Sequence, residues 1–125
     1  GIGGTIPEIA EALDGVIPIA KMTFSCCRND EFLTALRATG CRQVLITGIE
    51  THICVYQTTL ELLEAGYEVE VVVDAVSSRT PENKEIGLQK MRASGAALTG
   101  TETALYELLK VAGGPEFKEI LRIIK

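Results

Sequence analysis

Cys54 is the residue of this chain best placed to do chemistry. It follows Gln43-Val44-Leu45-Ile46-Thr47-Gly48, a short, apolar, β-branched run ending in glycine, and helical periodicity then continues through Leu63. This pattern predicts a strand, a tight turn and a helix, with the thiol near the helix start. The C-terminal end of a parallel strand is where α/β proteins hold their ligands. A helix start also favours the thiolate, which is the nucleophilic form. The competing reading is that of most free cysteines, a small buried hydrophobe.

A nucleophilic cysteine needs a proton acceptor, a group that orients or supports it, and donors for the oxyanion. His52, the single histidine, is a poor base for it. Two positions apart on a helix of ~3.6 residues per turn puts the side chains about 200° apart. His52 is therefore expected to face solvent or a neighbouring loop, and the base to come from elsewhere. Nor has it a second His, Asp or Glu at helical metal-ligand spacing. The cysteines at 26, 27, 41 and 54 make no CxxC, and adjacent Cys26–Cys27 suit neither a metal nor an ordinary disulfide. No metal and no cofactor is expected. A thiol redox role is weakened by the lack of a resolving cysteine at motif spacing.

The elements that must position these groups form one domain of 125 residues. A net charge of −5 with scattered basic residues argues against nucleic acid. No apolar run approaches the ~20 residues of a membrane span, and the first residues lack the basic and apolar blocks of a signal peptide. These features favour a cytoplasmic protein acting on a small molecule, with reduced thiols. Helices are expected at 6–13, 31–38, 51–65, 81–93, 101–112 and beyond Pro115, with Asn29 or Asp30, Thr80, and Thr99 or Thr101 as caps. Strands are expected at 43–48, 69–73 and 96–98, with an edge or irregular piece at 16–20, where Pro18 cannot donate to a ladder. An apolar stripe of Ile53, Tyr56, Leu60 and Leu63 should pack helix 51–65 on the sheet. Alternating strands and helices make this a doubly wound parallel α/β fold. Central strands of such a sheet are apolar and covered on both faces, and nothing ahead of residue 43 supplies them. The chain therefore reads as N-terminally incomplete.

Three segments together carry a resemblance: Lys21-Met22-Thr23-Phe24-Ser25, then Gly48-Ile49-Glu50-Thr51-His52-Ile53-Cys54-Val55, then Asp74-Ala75-Val76-Ser77-Ser78-Arg79. In this order the chain resembles the isochorismatase-like cysteine hydrolases along essentially its whole length, to the closing Pro115-Glu116-Phe117-Lys118-Glu119-Ile120. The resemblance implies a three-layer α/β/α sandwich with strand order 3-2-1-4-5-6 when complete, of which this chain would be the C-terminal two-thirds. It implies an Asp–Lys–Cys triad with Cys54 as nucleophile and Lys21 as its lysine. It also implies a cis peptide between Ile49 and Glu50, and an oxyanion hole from the amides of Glu50 and Cys54. The triad aspartate belongs at the end of the family's first strand, and none of Asp14, Asp30 and Asp74 sits in that motif. The Asp-x-His motif by which some relatives hold zinc is not in this sequence.

Phe24, Thr51, Thr58 and Arg79 are candidates for the substrate pocket. The alternatives are a core role for Phe24, helix capping for Thr51 and a plain loop role for Arg79. The activity implied is hydrolysis of a small amide through a cysteine thioester, in a homo-oligomer. Isochorismate fits less well, since its vinyl ether is cleaved without the covalent step. The competing function is a catalytically silent domain that serves oligomerisation or partner binding.

Overall fold

The computed structural model describes residues 3–13 and 15–124. Its sheet has three parallel strands in the order β1 (Gln43–Ile49), β2 (Glu68–Ser77) and β3 (Ala97–Thr99). Helix α1 (Pro7–Ala12), a 3-10 turn (Cys26–Arg28) and α2 (Asp30–Ala38) precede the sheet. A π-helical turn (Thr51–Val55) runs directly into α3 (Tyr56–Glu64), which connects β1 to β2, and α4 (Pro81–Ala93) connects β2 to β3. Helices α5 (Thr101–Leu109) and α6 (Gly114–Ile123) close the described chain. Residues 16–20 form no strand: Val16, Ile17 and Pro18 are exposed, and the segment is irregular loop.

The layers follow from strand alternation. Ile46, Val69 and Val71 turn one face of the sheet toward Leu62 of α3 and Leu88 and Met91 of α4, and together these form the core. Burial of such side chains is the main favourable term in folding, at about 25 cal/mol per Å² of apolar surface. Buried Val72 lies on the other face, where α5 packs on β2 through a helix whose buried residue is Ala104. The result is helix, sheet, helix: the three-layer α/β/α arrangement.

Two local features differ from the sequence expectation. The buried side of the helix after β1 is centred on Val55, Thr58, Thr59 and Leu62, while Tyr56, Leu60 and Leu63 flank it, half-buried. A π-helical turn holds more residues than an α-helical one, so it shifts the phase of everything after it. Helix α5 starts at Thr101 with Gly100 at its cap position and no capping side chain from its own segment. Asp74 of β2 does that work: its Oδ1 accepts from the Thr101 amide (2.8 Å) and hydroxyl (3.0 Å). Asn29 and Thr80 cap α2 and α4 as expected, accepting from Phe32 N and Asn83 N.

Helix α4 approaches the π-helical turn backbone to backbone. A Cβ at Gly87 would lie 2.9 Å from His52 Cα, His52 N and Thr51 C. Only glycine permits that approach, because the atoms in the way are main chain and cannot swing aside. Gly87→Ala should therefore destabilise the protein by ~1–3 kcal/mol, the usual cost of overpacking, despite alanine's better helix propensity. Chemical denaturation measures it, and a neutral or stabilising result would show that the two backbones are not held together.

The hydrogen bonds from the Thr101 amide and hydroxyl, with nearby Lys84, hold the Asp74 carboxyl below its ordinary value of 3.8. A depressed carboxylate stabilises the fold at pH values above its unfolded value, and that stability is lost as pH falls through the folded one. Asp74→Ala should lower Tm by a few degrees at about pH 7, with the gap to wild type closing below about pH 4. A gap of constant size across that range would remove the ionised cap from the account.

Candidate active site

The site is built on the turn that leaves β1. Gly48 takes φ +111°, a region that L side chains rarely enter. The Ile49–Glu50 peptide is cis. The π-helical turn follows, with Glu50 O accepting from the amides of Ile53 (3.1 Å) and Val55 (3.2 Å). Thr51 Oγ1 donates to Ser77 O at the end of β2 (2.9 Å), and Gly87 of α4 closes on the same backbone. The Cys54 turn is thus fixed from two sides. Cys54 itself remains half-exposed, at the C-terminal end of the strand rather than within the core.

Lys21 reaches the site from a loop. Its Nζ donates to Thr23 O (2.7 Å) and Phe24 O (2.9 Å), so the loop folds around its own ammonium. The Cys26 amide donates to Thr58 Oγ1 (3.0 Å), which ties this loop to α3. Lys21 and Cys54 line one cleft of about 130 Å³, with Cys26, Ile46, Ile49 and Thr58 also on its wall. A larger cavity of about 520 Å³ lies at the opposite, amino-terminal ends of β1 and β2, lined by Arg42, Gln43, Glu68 and Glu107 among others. It holds none of the candidate residues, so chemistry and not size selects the smaller cleft.

The remaining candidates divide. Thr58 lines the cleft and holds the Lys21 loop. Thr51 is wholly buried, with its hydroxyl on Ser77 O, and caps no helix. The Phe24 side chain is 59% exposed, outside the core and the cleft wall. Arg79 is exposed, with its Nε 2.9 Å from Glu50 Oε1. His52 turns to other partners than Cys54: Nδ1 lies 3.1 Å from Ser78 Oγ, and Nε2 lies 3.7 Å from Glu50 Oε2. Of the three aspartates, Asp14 lies outside the described residues. Asp30 opens α2, and Asp74 caps α5.

Three features matter here beyond the roles expected from the sequence. Glu50 joins His52 and Arg79 through its carboxylate. Glu61 accepts from Ser25 Oγ (2.6 Å) and pairs with Arg28 (2.7 Å). Gly87 admits the Cys54 turn. Glu61 had a legible signal, for Cys54, Thr58 and Glu61 fall at i, i+4 and i+7 along one helical ridge. The Glu50–Arg79 pair and the Gly87 contact had none, because each joins residues distant in sequence.

Comparison with known proteins gives the same assignment. The isochorismatase domain family model matches residues 3–103. A secreted isochorismatase effector of Phytophthora sojae is 43% identical over 129 residues, covering 99% of this chain and 61% of its own length. Isochorismatase domain-containing protein 2 of Homo sapiens is 41% identical over 125 residues, covering 100% and 60%. The chain thus spans about 60% of the length of these relatives. Among solved structures, the MAR1 ribonuclease from Caenorhabditis elegans superposes with a TM-score of 0.87 at 39% identity, over 99% of this chain and 64% of that one. The YcaC gene product from Escherichia coli, described as an octameric hydrolase of unknown specificity, gives 0.78 at 26% identity, over 88% and 54%. A pyrazinamidase/nicotinamidase from Streptococcus mutans gives 0.58 at 32% identity, over 62% and 44%. By its three motifs, its sheet and these relatives, the chain belongs to the isochorismatase family.

Proposed function

We propose that this chain is the Cys54-bearing part of an isochorismatase-like amide hydrolase. The observation that carries the reading is that Lys21 and Cys54, from separate segments, line one cleft at the carboxyl ends of the strands. A cation beside a thiol favours the thiolate. Cys54 Sγ attacks the carbonyl carbon of a small amide, and the oxyanion is held by the amides of Glu50 and Cys54. The C–N bond breaks, the amine leaves with a proton, and a thioester remains. Water then attacks the thioester, releasing the carboxylic acid and restoring the thiol. Removal of one oxyanion donor of this kind typically costs about 10²–10³ in rate.

The proton passes through an aspartate. Asp74 is engaged on Thr101 and Asp30 opens α2, and neither is on the cleft wall. In this proposal the acceptor comes from outside the described residues, and the chain forms the C-terminal two-thirds of a six-stranded domain. The nicotinamidase similarity supports an amide as substrate, and the octameric neighbour supports a homo-oligomer. One neighbour is called a ribonuclease, but a net charge of −5 favours a small molecule over a polyanion. Four free cysteines support a reducing, cytoplasmic setting. The competing reading, a silent domain that serves assembly, draws on the same want of an aspartate at the cleft among the described residues.

The test is hydrolysis of a panel of small amides, nicotinamide included, by the full-length protein. Turnover should vanish in Cys54→Ala and fall by about 10²-fold or more in Lys21→Met. Iodoacetamide should label Cys54 faster than Cys41 at neutral pH although Cys41 is the more exposed. No turnover, with Cys54 labelled no faster than Cys41, would leave the assembly role standing.

A further inference from the structure

Lys21 is held by a loop, and the loop is held by α3 through a polar link that the reaction itself does not use. Ser25 is wholly buried. Its hydroxyl donates to Glu61 Oε2 (2.6 Å) and accepts from the Cys27 amide (3.1 Å). Arg28 Nε lies 2.7 Å from the other Glu61 oxygen. One residue from Ser25 stands Phe24, whose carbonyl accepts from Lys21 Nζ, and Thr23, whose carbonyl is the other acceptor, sends its hydroxyl to Ser25 O (2.8 Å). A continuous path of hydrogen bonds and a few peptide units thus joins Glu61 to the lysine. The helix that carries Glu61 continues from the turn that carries Cys54.

From this we propose that Glu61 is a positioning residue: through buried Ser25 it sets where the Lys21 ammonium stands relative to Cys54. The inference rests on the hydrolase reading and extends it to a residue away from the cleft wall. Charge-assisted hydrogen bonds to a carboxylate are short and about twice as strong as neutral ones, which suits an anchor. The Ser25 and Arg28 contacts hold the Glu61 carboxyl below its ordinary value, so it remains an ionised acceptor at neutral pH. Coulomb interaction varies inversely with distance. A loop released from Glu61 therefore weakens the thiolate without removing any group from the cleft.

The measurement is the rate of Cys54 alkylation by iodoacetamide, read by mass spectrometry of its peptide at about pH 7 and about pH 10. An ordinary thiol is largely ionised at about pH 10, so the rate there serves as the control for access. Glu61→Gln and Ser25→Ala should each slow labelling roughly threefold to tenfold at the lower pH and leave it unchanged at the higher one. In a Lys21→Met background, which should itself be slow at the lower pH, Glu61→Gln should add nothing further. Wild-type rates in both single variants, slowing by the same factor at both pH values, or a full additional loss in the double variant would each overturn the proposal. A Lys21→Met protein that labels at the wild-type rate would instead overturn the hydrolase reading, and this inference with it. Should Glu61→Gln fail to fold, Ser25→Ala decides the matter.

Discussion

The contact on which the site depends is that of α4 with the main chain of Thr51 and His52. At Gly87 two backbones meet with no room for a methyl group between them. Main chain cannot rotate away as a side chain can, so this contact locates the Cys54 turn firmly. Thr51 adds a second fixed point by donating to Ser77 O at the end of β2. Between these two constraints the chain leaves its strand through Gly48 and enters a π-helical turn before α3 begins. An ordinary α-helix begun at Thr51 would carry Cys54 and Thr58 in another phase. The unusual turn and the half-exposed thiol are thus two aspects of one packing arrangement.

Helix α3 unites the two halves of the site. Its preceding turn carries Cys54, and its own Thr58 and Glu61 receive the Lys21 loop. The loop has no strand to stabilise it, for residues 16–20 remain irregular and largely exposed. Its order comes from side chain and main chain contacts to the helix, and from its own carbonyls around the ammonium. Polar groups removed from water must be paired or they cost free energy. Ser25, wholly buried with two partners, meets that requirement. In the proposed positioning role, the same pairing sets where the Lys21 ammonium stands relative to the Cys54 thiol.

Elements with strong local signals were legible in the sequence. The run Gln43–Gly48, the β-branched run beginning at Val69, and the pair Thr80-Pro81 encode strands and a cap through residues adjacent in the chain, and each lies within an element or at a cap of the fold. The Lys21 and Cys54 motifs were also legible as pieces, and the structure brings both to one cleft. What was not legible depended on contacts remote in sequence. The π-helical turn follows from packing against Gly87, and periodicity alone gave an α-helix with its apolar stripe on Ile53 and Leu60. Asp74 caps α5 across the sheet, whereas local rules looked to Thr99 or Thr101. Arg79, a candidate for the substrate pocket from its loop position, pairs with Glu50, a contact that nothing local in the sequence encodes.

That last pairing bears on how the site is organised electrically. Glu50 stands at the start of the π-helical turn with its carboxylate between the guanidinium of Arg79 and the ring of His52. Arg79 is 72% exposed on its side chain, so the pair is worth little as stability. Its effect lies in what it removes: the arginine charge is matched by a group of this chain. Lys21 donates to two neutral carbonyls, while Arg79 is paired with an anion. A carbonyl orients an ammonium without cancelling its charge, whereas a carboxylate does both. Among the described residues, Lys21 therefore brings to the Cys54 cleft a positive charge that its two carbonyl acceptors do not cancel, and in the proposed reaction that charge favours the thiolate.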